Sequence, residues 1–362
     1  MLFNLVFSGG VCPENPGRAD VPVLRFVEAG SVSAPLPDRV EVVTGGASLS
    51  GRATAIRRLK RFVFGMCLAY LGVVSMLAWF QRTLMYHPRQ GPVPVPAAEE
   101  WAPHLRECQV TAHDGIALHG WLSLCDPASE MGRSQPLSAL GAENRLLVVM
   151  FAGNAGNRLA RVSQLALYNG LGCDALLVDY RWYAENAGAP SEAALIADAR
   201  VVWDYAVKDL GVPPERIVIS GESLGGGVAT ALASEVCLTG QTPAALILRA
   251  TFSSMVETAA TIYWWLPVQW VLIDRYPSIE RMPHVDCPVL TYHGTDDEII
   301  PFSQGRQLFD AAPLTSKTGI QKRFLEISGA GHNDIYQLGN REITAAINEL
   351  LSEVRSTGLA NP

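Results

Sequence analysis

The fold of this chain is decided at residues 217–227, which read Ile-Val-Ile-Ser-Gly-Glu-Ser-Leu-Gly-Gly-Gly. The β-branched residues before Ser223 predict a buried strand, and the small residues after it predict a helix that packs closely under that strand. Gly221 and Gly225 leave room for a sharp turn between the two. A turn of this G-x-S-x-G type presents the serine hydroxyl above the sheet edge, so Ser223 is predicted to be a nucleophile. The alternative is a glycine-rich turn with an incidental serine.

Short apolar runs elsewhere in the chain predict further buried strands. They are Leu146–Phe151, Ala175–Asp179, Arg216–Ser220, Ala245–Leu248, Val289–His293 and Phe324–Ile327. A hairpin of Val110–Ala112 and Ile116–Leu124 precedes them, and helical stretches such as Ser191–Leu210 separate most of them. This alternation predicts an α/β fold with a mostly parallel central sheet and helices on both faces.

The composition indicates a membrane segment and excludes a general nucleic-acid binder. Charged residues make up 17% of the 362 residues and hydrophobic residues 49%, whereas about 25% charged residues is usual in soluble proteins. A net charge of −7 is unsuited to neutralising phosphates. The 7 cysteines are scattered without metal-ligand spacing, so neither a metal nor a cofactor is predicted.

The N-terminal part of the chain predicts a tail followed by an anchor. Residues 1–51 are rich in Pro, Gly, Ser and Ala and are predicted to be disordered, unless the start site lies further downstream. Residues 52–82 contain a basic flank and the uncharged run Phe62–Gln81, which matches the roughly 20 residues that a membrane-spanning helix needs. The alternatives are a buried core helix and a cleaved signal peptide. The lack of a small-residue cleavage site favours an uncleaved signal-anchor.

The distribution of charge around the anchor predicts its orientation. Basic residues crowd the N-terminal flank, so the N-terminus is expected in the cytoplasm and the rest of the chain across the membrane, in a bacterium the periplasm. Residues 83–104 are proline-rich and are interpreted as a stiff linker that lifts the next domain off the bilayer. The catalytic domain is predicted over residues 105–355, with a polar loop at 126–144. A short cap, Phe252–Cys287, lies between the sixth and seventh strands.

The other members of a catalytic site follow two later strands. Serine hydrolysis needs a base near the nucleophile and an acid that orients the base. His332, in a glycine-flanked loop after Phe324–Ile327, is the candidate base. The loop after Val289–His293 offers Asp296 and Asp297, of which only one can face His332 because neighbours on an extended chain point to opposite sides.

The oxyanion hole of such a site is expected to use two backbone N–H groups. One belongs to Leu224, directly after the nucleophile, and the other to the loop that follows Leu146–Phe151. In that loop, Ala152–Asn157, the candidate is Asn154.

These motifs together resemble the α/β-hydrolase superfamily. The resemblance is closest to its single-pass membrane-anchored branch, which contains eukaryotic protein depalmitoylases and the fungal bud-emergence homologues. It rests on segments in the family order, namely Gly153–Asn157, Asp179–Arg181, Gly221–Gly225, His293–Glu298 and Gly329–Asp334. The family pattern selects Asp297 as the acid. The chain departs from that pattern at Ala152, Trp182 and Ala184, where members usually carry His, Gly and Gly.

The expected function is that of a membrane-anchored serine hydrolase that cleaves an ester or thioester through an acyl-enzyme intermediate. Its substrate would be a small-molecule or lipid-like acyl compound, and the resemblance implies no cofactor. The cap is rich in tryptophan, which suits an acyl chain, contact with lipid or ordinary helix packing. A serine aminopeptidase-like peptidase and a catalytically weak fold used as a binding or scaffold module are the alternatives.

Overall fold

Residues 49–96, 105–125 and 145–358 are described by the computed structural model. The chain divides into two units, Met1–Val63 and Phe64–Pro362, and the second contains the sheet and the candidate site. The predicted disordered tail, apart from the first residues of a helix that begins at Leu49, lies outside the described residues. The predicted polar loop at 126–144 lies outside them as well.

A sheet of eight strands forms the centre of the second unit. The strands of the described chain are β1 (His87–Pro88), β2 (Leu105–Thr111), β3 (Ala117–Ser123), β4 (Leu146–Phe151), β5 (Ala155–Gly156), β6 (Cys173–Val178), β7 (Ile217–Glu222), β8 (Ala245–Arg249), β9 (Val289–Gly294) and β10 (Arg323–Ile327). The order across the large sheet is β10-β9-β8-β7-β4-β6-β3-β2. Six neighbouring strands are parallel, and the hairpin β2–β3 joins them antiparallel. The mostly parallel sheet predicted from the sequence is confirmed.

Helices cover both faces of this sheet. The α-helices of the described residues, which also include the long N-terminal helix and those of the cap, are α1 (Leu49–Met85), α2 (Val162–Gly170), α3 (Glu192–Asp204), α4 (Leu224–Leu238), α5 (Met255–Ile262), α6 (Val268–Val271), α7 (Ser278–Arg281), α8 (Phe302–Ala311) and α9 (Ile335–Gly358). Alternate residues of β4 point to opposite faces. Leu147 and Val149 pack with α3 and α4, whereas Leu146 and Val148 pack with α2 and α9. Every residue of β4 is therefore buried, which explains its uninterrupted apolar sequence.

Helix α1 is long and apolar enough to cross a membrane, judged by its length and composition. It has 37 residues, or roughly 55 Å at the rise of an α-helix. Its most apolar window of 18 residues has a mean hydropathy of 2.0, and none of that window is buried within the protein. The predicted anchor Phe62–Gln81 lies inside this helix.

The interpretation of residues 83–104 as a spacer is wrong for the part that the structure describes. Helix α1 continues to Met85, and Tyr86 is buried. Strand β1 pairs with β5, so that His87 lies opposite Ala155. Val93 is also buried. The apolar side chains and backbone groups of this segment thus find partners on the domain that follows.

The C-terminal end of α1 is held to the cap. Two nitrogen atoms of Arg82 donate to the buried carboxylate of Asp274 at 2.9 and 3.1 Å. The hydroxyl of Tyr86 lies 3.1 Å from the same carboxylate. Gln81 accepts a hydrogen bond from the amide of Ile273 at 2.8 Å. The cap itself lies between β8 and β9, which are the sixth and seventh strands of the large sheet in chain order, as predicted.

Candidate active site

Ser223 lies at the sharp turn between β7 and α4. Its backbone has φ 53° and ψ −118°, in the left-handed half of the Ramachandran plot that side chains rarely adopt. Its amide donates to the carbonyl of Arg249 at 2.9 Å, and its carbonyl accepts from the hydroxyl of Thr251 at 2.8 Å. Neighbouring strand β8 and the residues after it therefore hold the strained turn in place.

Glycine is required on both sides of this turn. A Cβ atom at Gly225 would collide with the carbonyl oxygen of Phe151, and one at Gly221 would collide with the carbonyl oxygen of Gly225. Strand β4 thus passes directly against the start of α4. The turn is possible only because these two positions carry no side chain.

His332 joins Ser223 to Asp297. The Nε2 atom of His332 lies 3.1 Å from the hydroxyl of Ser223, and its Nδ1 atom lies 2.7 Å from Oδ2 of Asp297. All three residues are buried. Each follows a different parallel strand, β7, β9 or β10, and the carboxyl ends of such strands meet at one edge of the sheet. The geometry permits a proton to pass from the serine hydroxyl to the imidazole.

Asp297 is held as a carboxylate by four neighbours. Its Oδ1 accepts from the amides of Ile299 and Ile300 at 2.9 and 2.8 Å, and its Oδ2 lies 3.2 Å from Nε2 of His293 as well as close to His332. Burial by itself would raise the pKa of Asp297, but the hydrogen bonds to the two histidines outweigh it and hold the pKa well below its usual value. The side chain of Asp296 is exposed, and its amide donates to the carbonyl of Ala330.

A second histidine, His293, also contacts Asp297. Its ring is completely buried, and Nε2 also lies 2.9 Å from the carbonyl oxygen of Ile300. The ring fills the space beside Gly305, where a Cβ atom would collide with it. Through these contacts His293, at the end of β9, holds both the acid loop and the carboxylate of Asp297 in position.

The loop that carries Asn154 is braced by two tyrosines. The hydroxyl of Tyr180 donates to the carbonyl of Ala152 at 2.8 Å, and that of Tyr183 donates to the carbonyl of Asn154 at 2.6 Å. The amide group of the Asn154 side chain donates to Met85 at 2.9 Å. The side chain is thus used to hold the end of α1, which leaves the backbone N–H of Asn154 as the group that could face a substrate.

The motif that supplies these tyrosines keeps its turn without glycine. Trp182 and Ala184 have φ values of 72° and 53°, a conformation that favours glycine. Both positions are those at which the sequence departs from the family pattern. Here this conformation is adopted by residues that carry side chains.

Glu222 forms an ion cluster that the sequence interpretation missed. Its carboxylate lies 3.0 Å from Nε of Arg161 and 3.1 Å from Nη1 of Arg249, and it accepts from Gln164 at 2.9 Å. Burial alone would raise the pKa of Glu222, but the two arginines outweigh it and lower the pKa. A charged residue inside the apolar strand that precedes Ser223 is the only signal in the sequence for this cluster.

A cavity of about 290 Å³ opens beside the serine. Ser223, Leu224 and Asn154 all line it, so the candidate nucleophile and the two residues expected to supply the oxyanion donors border the same space. The remaining lining comes from α1, from the cap and from Ile299 and Ile300. Among the described residues that line it, none is charged. The cavity therefore suits an uncharged apolar group next to Ser223.

No group of three or more His, Cys, Asp or Glu that could hold a metal ion occurs among the described residues. The site consists of the serine, its hydrogen-bonded partners and the cavity.

The fold and the site define the class of protein: the chain belongs to the α/β-hydrolase superfamily. Residues 182–352, which include Ser223, Asp297 and His332, match the model of the prolyl oligopeptidase family. An uncharacterized protein of Mycobacterium tuberculosis is 38% identical over 287 residues, which cover 79% of this chain and 92% of that protein.

A named relative is a lysophosphatidylserine lipase, ABHD12 of Danio rerio. It is 31% identical over 258 residues, covering 65% of this chain and 66% of the lipase. Among solved structures, an esterase of Pyrococcus furiosus has a TM-score of 0.53 at 15% identity and covers 74% of this chain and 98% of its own. An α/β-hydrolase of Vibrio vulnificus has a TM-score of 0.51 at 19% identity, with 72% and 96% covered. The relatives support an enzyme that hydrolyses esters.

Proposed function

We propose that this protein is a membrane-anchored serine hydrolase that cleaves an acyl ester or thioester through an acyl-enzyme intermediate. The observation that carries the proposal is the 3.1 Å contact between the Ser223 hydroxyl and His332 beside a cavity without charged lining. Ser223 is the nucleophile, His332 the general base and then acid, and Asp297 the residue that orients the imidazole.

The reaction follows from these positions. As the Ser223 oxygen bonds to the acyl carbon, its proton moves to Nε2 of His332, and the carbonyl oxygen becomes an oxyanion that accepts from the amides of Leu224 and Asn154. When the carbon–oxygen or carbon–sulfur bond breaks, His332 returns the proton to the departing alcohol or thiol. A water molecule then repeats both steps on the acyl-enzyme and releases the carboxylic acid.

The lining of the cavity favours an acyl substrate over a peptide with a free amino terminus. A peptidase that binds an α-ammonium group needs a carboxylate or a set of oxygen acceptors near the nucleophile, and the described lining residues include no acidic side chain. The related lipase is named for a lysophospholipid. We therefore place a lipid-like ester ahead of a peptide as the substrate.

The anchor is proposed to be helix α1, with the N-terminus in the cytoplasm and the catalytic domain outside it. The support is the length and composition of α1 together with the basic residues that precede Phe62. In a bacterium this places the active site on the periplasmic side of the inner membrane.

Labelling with a fluorophosphonate probe tests the proposal directly. The probe should attach to Ser223 in the full-length protein purified in detergent, and Ser223→Ala should abolish the label. Ser220→Ala is the matched control, because Ser220 lies in β7, three residues before Ser223, and its hydroxyl bonds to Tyr168 instead. Absence of label on the folded wild-type protein would instead favour the binding or scaffold role.

A further inference from the structure

The membrane helix forms one wall of the cavity beside the nucleophile. The cavity is lined from α1 by Val74, Leu77, Ala78, Gln81 and Met85, among others. These positions follow the three- and four-residue spacing of a single helix face. The neighbouring Val73 is exposed and does not line the cavity. A face of the anchor is therefore built into the candidate site.

The cavity extends away from the nucleophile along this face. Its catalytic end is marked by Met85, whose carbonyl oxygen is bonded to the side chain of Asn154. Val74 lies eleven residues earlier, or roughly 16 Å along the helix axis. The opposite wall is the cap, including Ala259, Ile262 and Leu272. The space is thus a slot between two apolar elements, with Ser223 near one end.

The cap follows α1 deep into its apolar run. Near one end of the contact, Arg82 pairs with Asp274. Near the other, the hydroxyl of Tyr70 donates to the carbonyl of Trp265 at 2.9 Å. Tyr70 and Arg82 are twelve residues apart, roughly 18 Å along the axis, which is more than half the thickness of a bilayer core of about 30 Å.

The cap surface is suited to that depth. The segment Thr258–Ile273 contains no charged residue, and the side chains of Trp264 and Trp270 are 82% and 81% exposed. Exposed tryptophans are unfavourable in water but are common where a protein meets the bilayer. This apolar surface is continuous with the exposed apolar face of α1, since Tyr70 contacts the cap directly.

We propose that the slot between α1 and the cap is an acyl-chain subsite that receives its chain from the surrounding lipid leaflet. The inference rests on the proposed function and names its substrate as a long-chain lipid ester. Bilayer and slot are both apolar, so moving the chain between them changes little surface exposed to water. The shape of the slot therefore determines which acyl chains bind. Helix α1 limits the length of acyl chain whose ester carbon can reach Ser223.

Substitution at two adjacent valines tests the proposal. Val74→Trp fills the far end of the slot, whereas Val73→Trp adds the same side chain to the exposed side of α1. Full-length proteins in detergent are compared on butyryl and palmitoyl esters of one leaving group. Val74→Trp should lower the ratio of palmitoyl to butyryl kcat/KM by about tenfold or more, because steric exclusion discriminates strongly by fit. Val73→Trp should leave the ratio unchanged. The same ratio of palmitoyl to butyryl kcat/KM in Val74→Trp and Val73→Trp would contradict the proposed subsite.

A second measurement does not depend on turnover. A palmitoyl probe with a photoreactive group at the end of its chain should crosslink the peptide that contains Val74 in the wild-type protein, and Val74→Trp should remove that crosslink. Crosslinking confined to other parts of the chain would contradict the subsite. Failure of the proposed function would give a different result. Ser223 would then not react with fluorophosphonate, whichever peptide the palmitoyl probe labels.

Discussion

Two adjacent aspartates of the same chemistry have opposite surroundings in this protein. Asp297 is buried against His332 and His293, whereas the Asp296 side chain is exposed. The difference arises because Asp296 lies in the turn directly after β9, whereas Asp297 follows that turn and faces the two histidines. Which aspartate can orient His332 therefore depends on the direction of its side chain, and not on the residue type.

Substitution of each aspartate by asparagine should distinguish their roles. Asp297→Asn should lower ester turnover by about 10⁴-fold, because an amide favours the wrong imidazole tautomer. Asp296→Asn keeps the same loop and should change turnover by less than about threefold. The measurement is kcat/KM on a butyryl ester. The reverse ranking would move the acid to Asp296.

The serine and the histidine should behave as one unit. Ser223→Ala and His332→Ala should each lower turnover by about 10⁴-fold or more, and the double variant should be little worse than either. Steady-state hydrolysis by the three variants and the wild type measures this. Near-normal turnover by Ser223→Ala would exclude the proposed mechanism.

At the level of elements, the site depends on how closely β4 approaches the start of α4. The approach is possible because Gly225 has no side chain to meet Phe151. The approach also brings the loop of Asn154 beside Ser223. The turn is held further by Glu222, which neutralises the buried Arg249 next to it.

Gly225→Ala should therefore destabilise the protein strongly. The added methyl group meets backbone that cannot move aside, so a loss of about 2–4 kcal/mol in unfolding free energy is expected. Gly170→Ala, at the end of α2, is the matched control because a Cβ atom there meets nothing within 4 Å; it should be neutral or stabilising by up to about 1 kcal/mol. Thermal unfolding in detergent compares the two. Equal melting temperatures would contradict the close approach.

At the level of the whole molecule, helix α1 is joined to the domain that carries the candidate site. The described residues after α1 pack on the domain, and the pair of Arg82 with Asp274 holds the helix to the cap. Removal of α1 would therefore expose one side of the cavity. For this reason we expect the anchor to be part of the substrate site as well as a tether.

Reporter fusions should reveal the orientation of the anchor. An alkaline phosphatase fused after Arg82 should be active in a bacterial host, and a fluorescent protein that matures only in the cytosol should be dark there, because the basic residues before Phe62 favour the cytoplasm. Replacing Arg57, Arg58, Lys60 and Arg61 by uncharged residues should weaken this preference. The opposite reporter pattern would place the active site at the inner leaflet, and a shortened soluble product would indicate a signal peptide.

Local sequence patterns were sufficient to predict the features that depend on neighbouring residues, namely the strands, the sharp turn and the order of the site residues. The apolar runs predicted the six parallel strands, because a strand buried on both faces has no need of polar residues. The glycines around Ser223 predicted the sharp turn, because only small residues fit there. The chain order of Ser223, the acidic loop and His332 was also visible, since each follows a predicted strand.

The tertiary structure alone decided which surfaces meet. Pattern could not choose between Asp296 and Asp297, and the choice of Asp297 came from the family resemblance. The proline-rich residues after α1 looked like a spacer, yet their described part packs on the domain because partners distant in sequence are available there. The wall that α1 contributes to the cavity was likewise not visible, since an apolar helix face has the same sequence whether it meets lipid or a neighbouring cap. Contacts between residues that are far apart in the chain determine those differences.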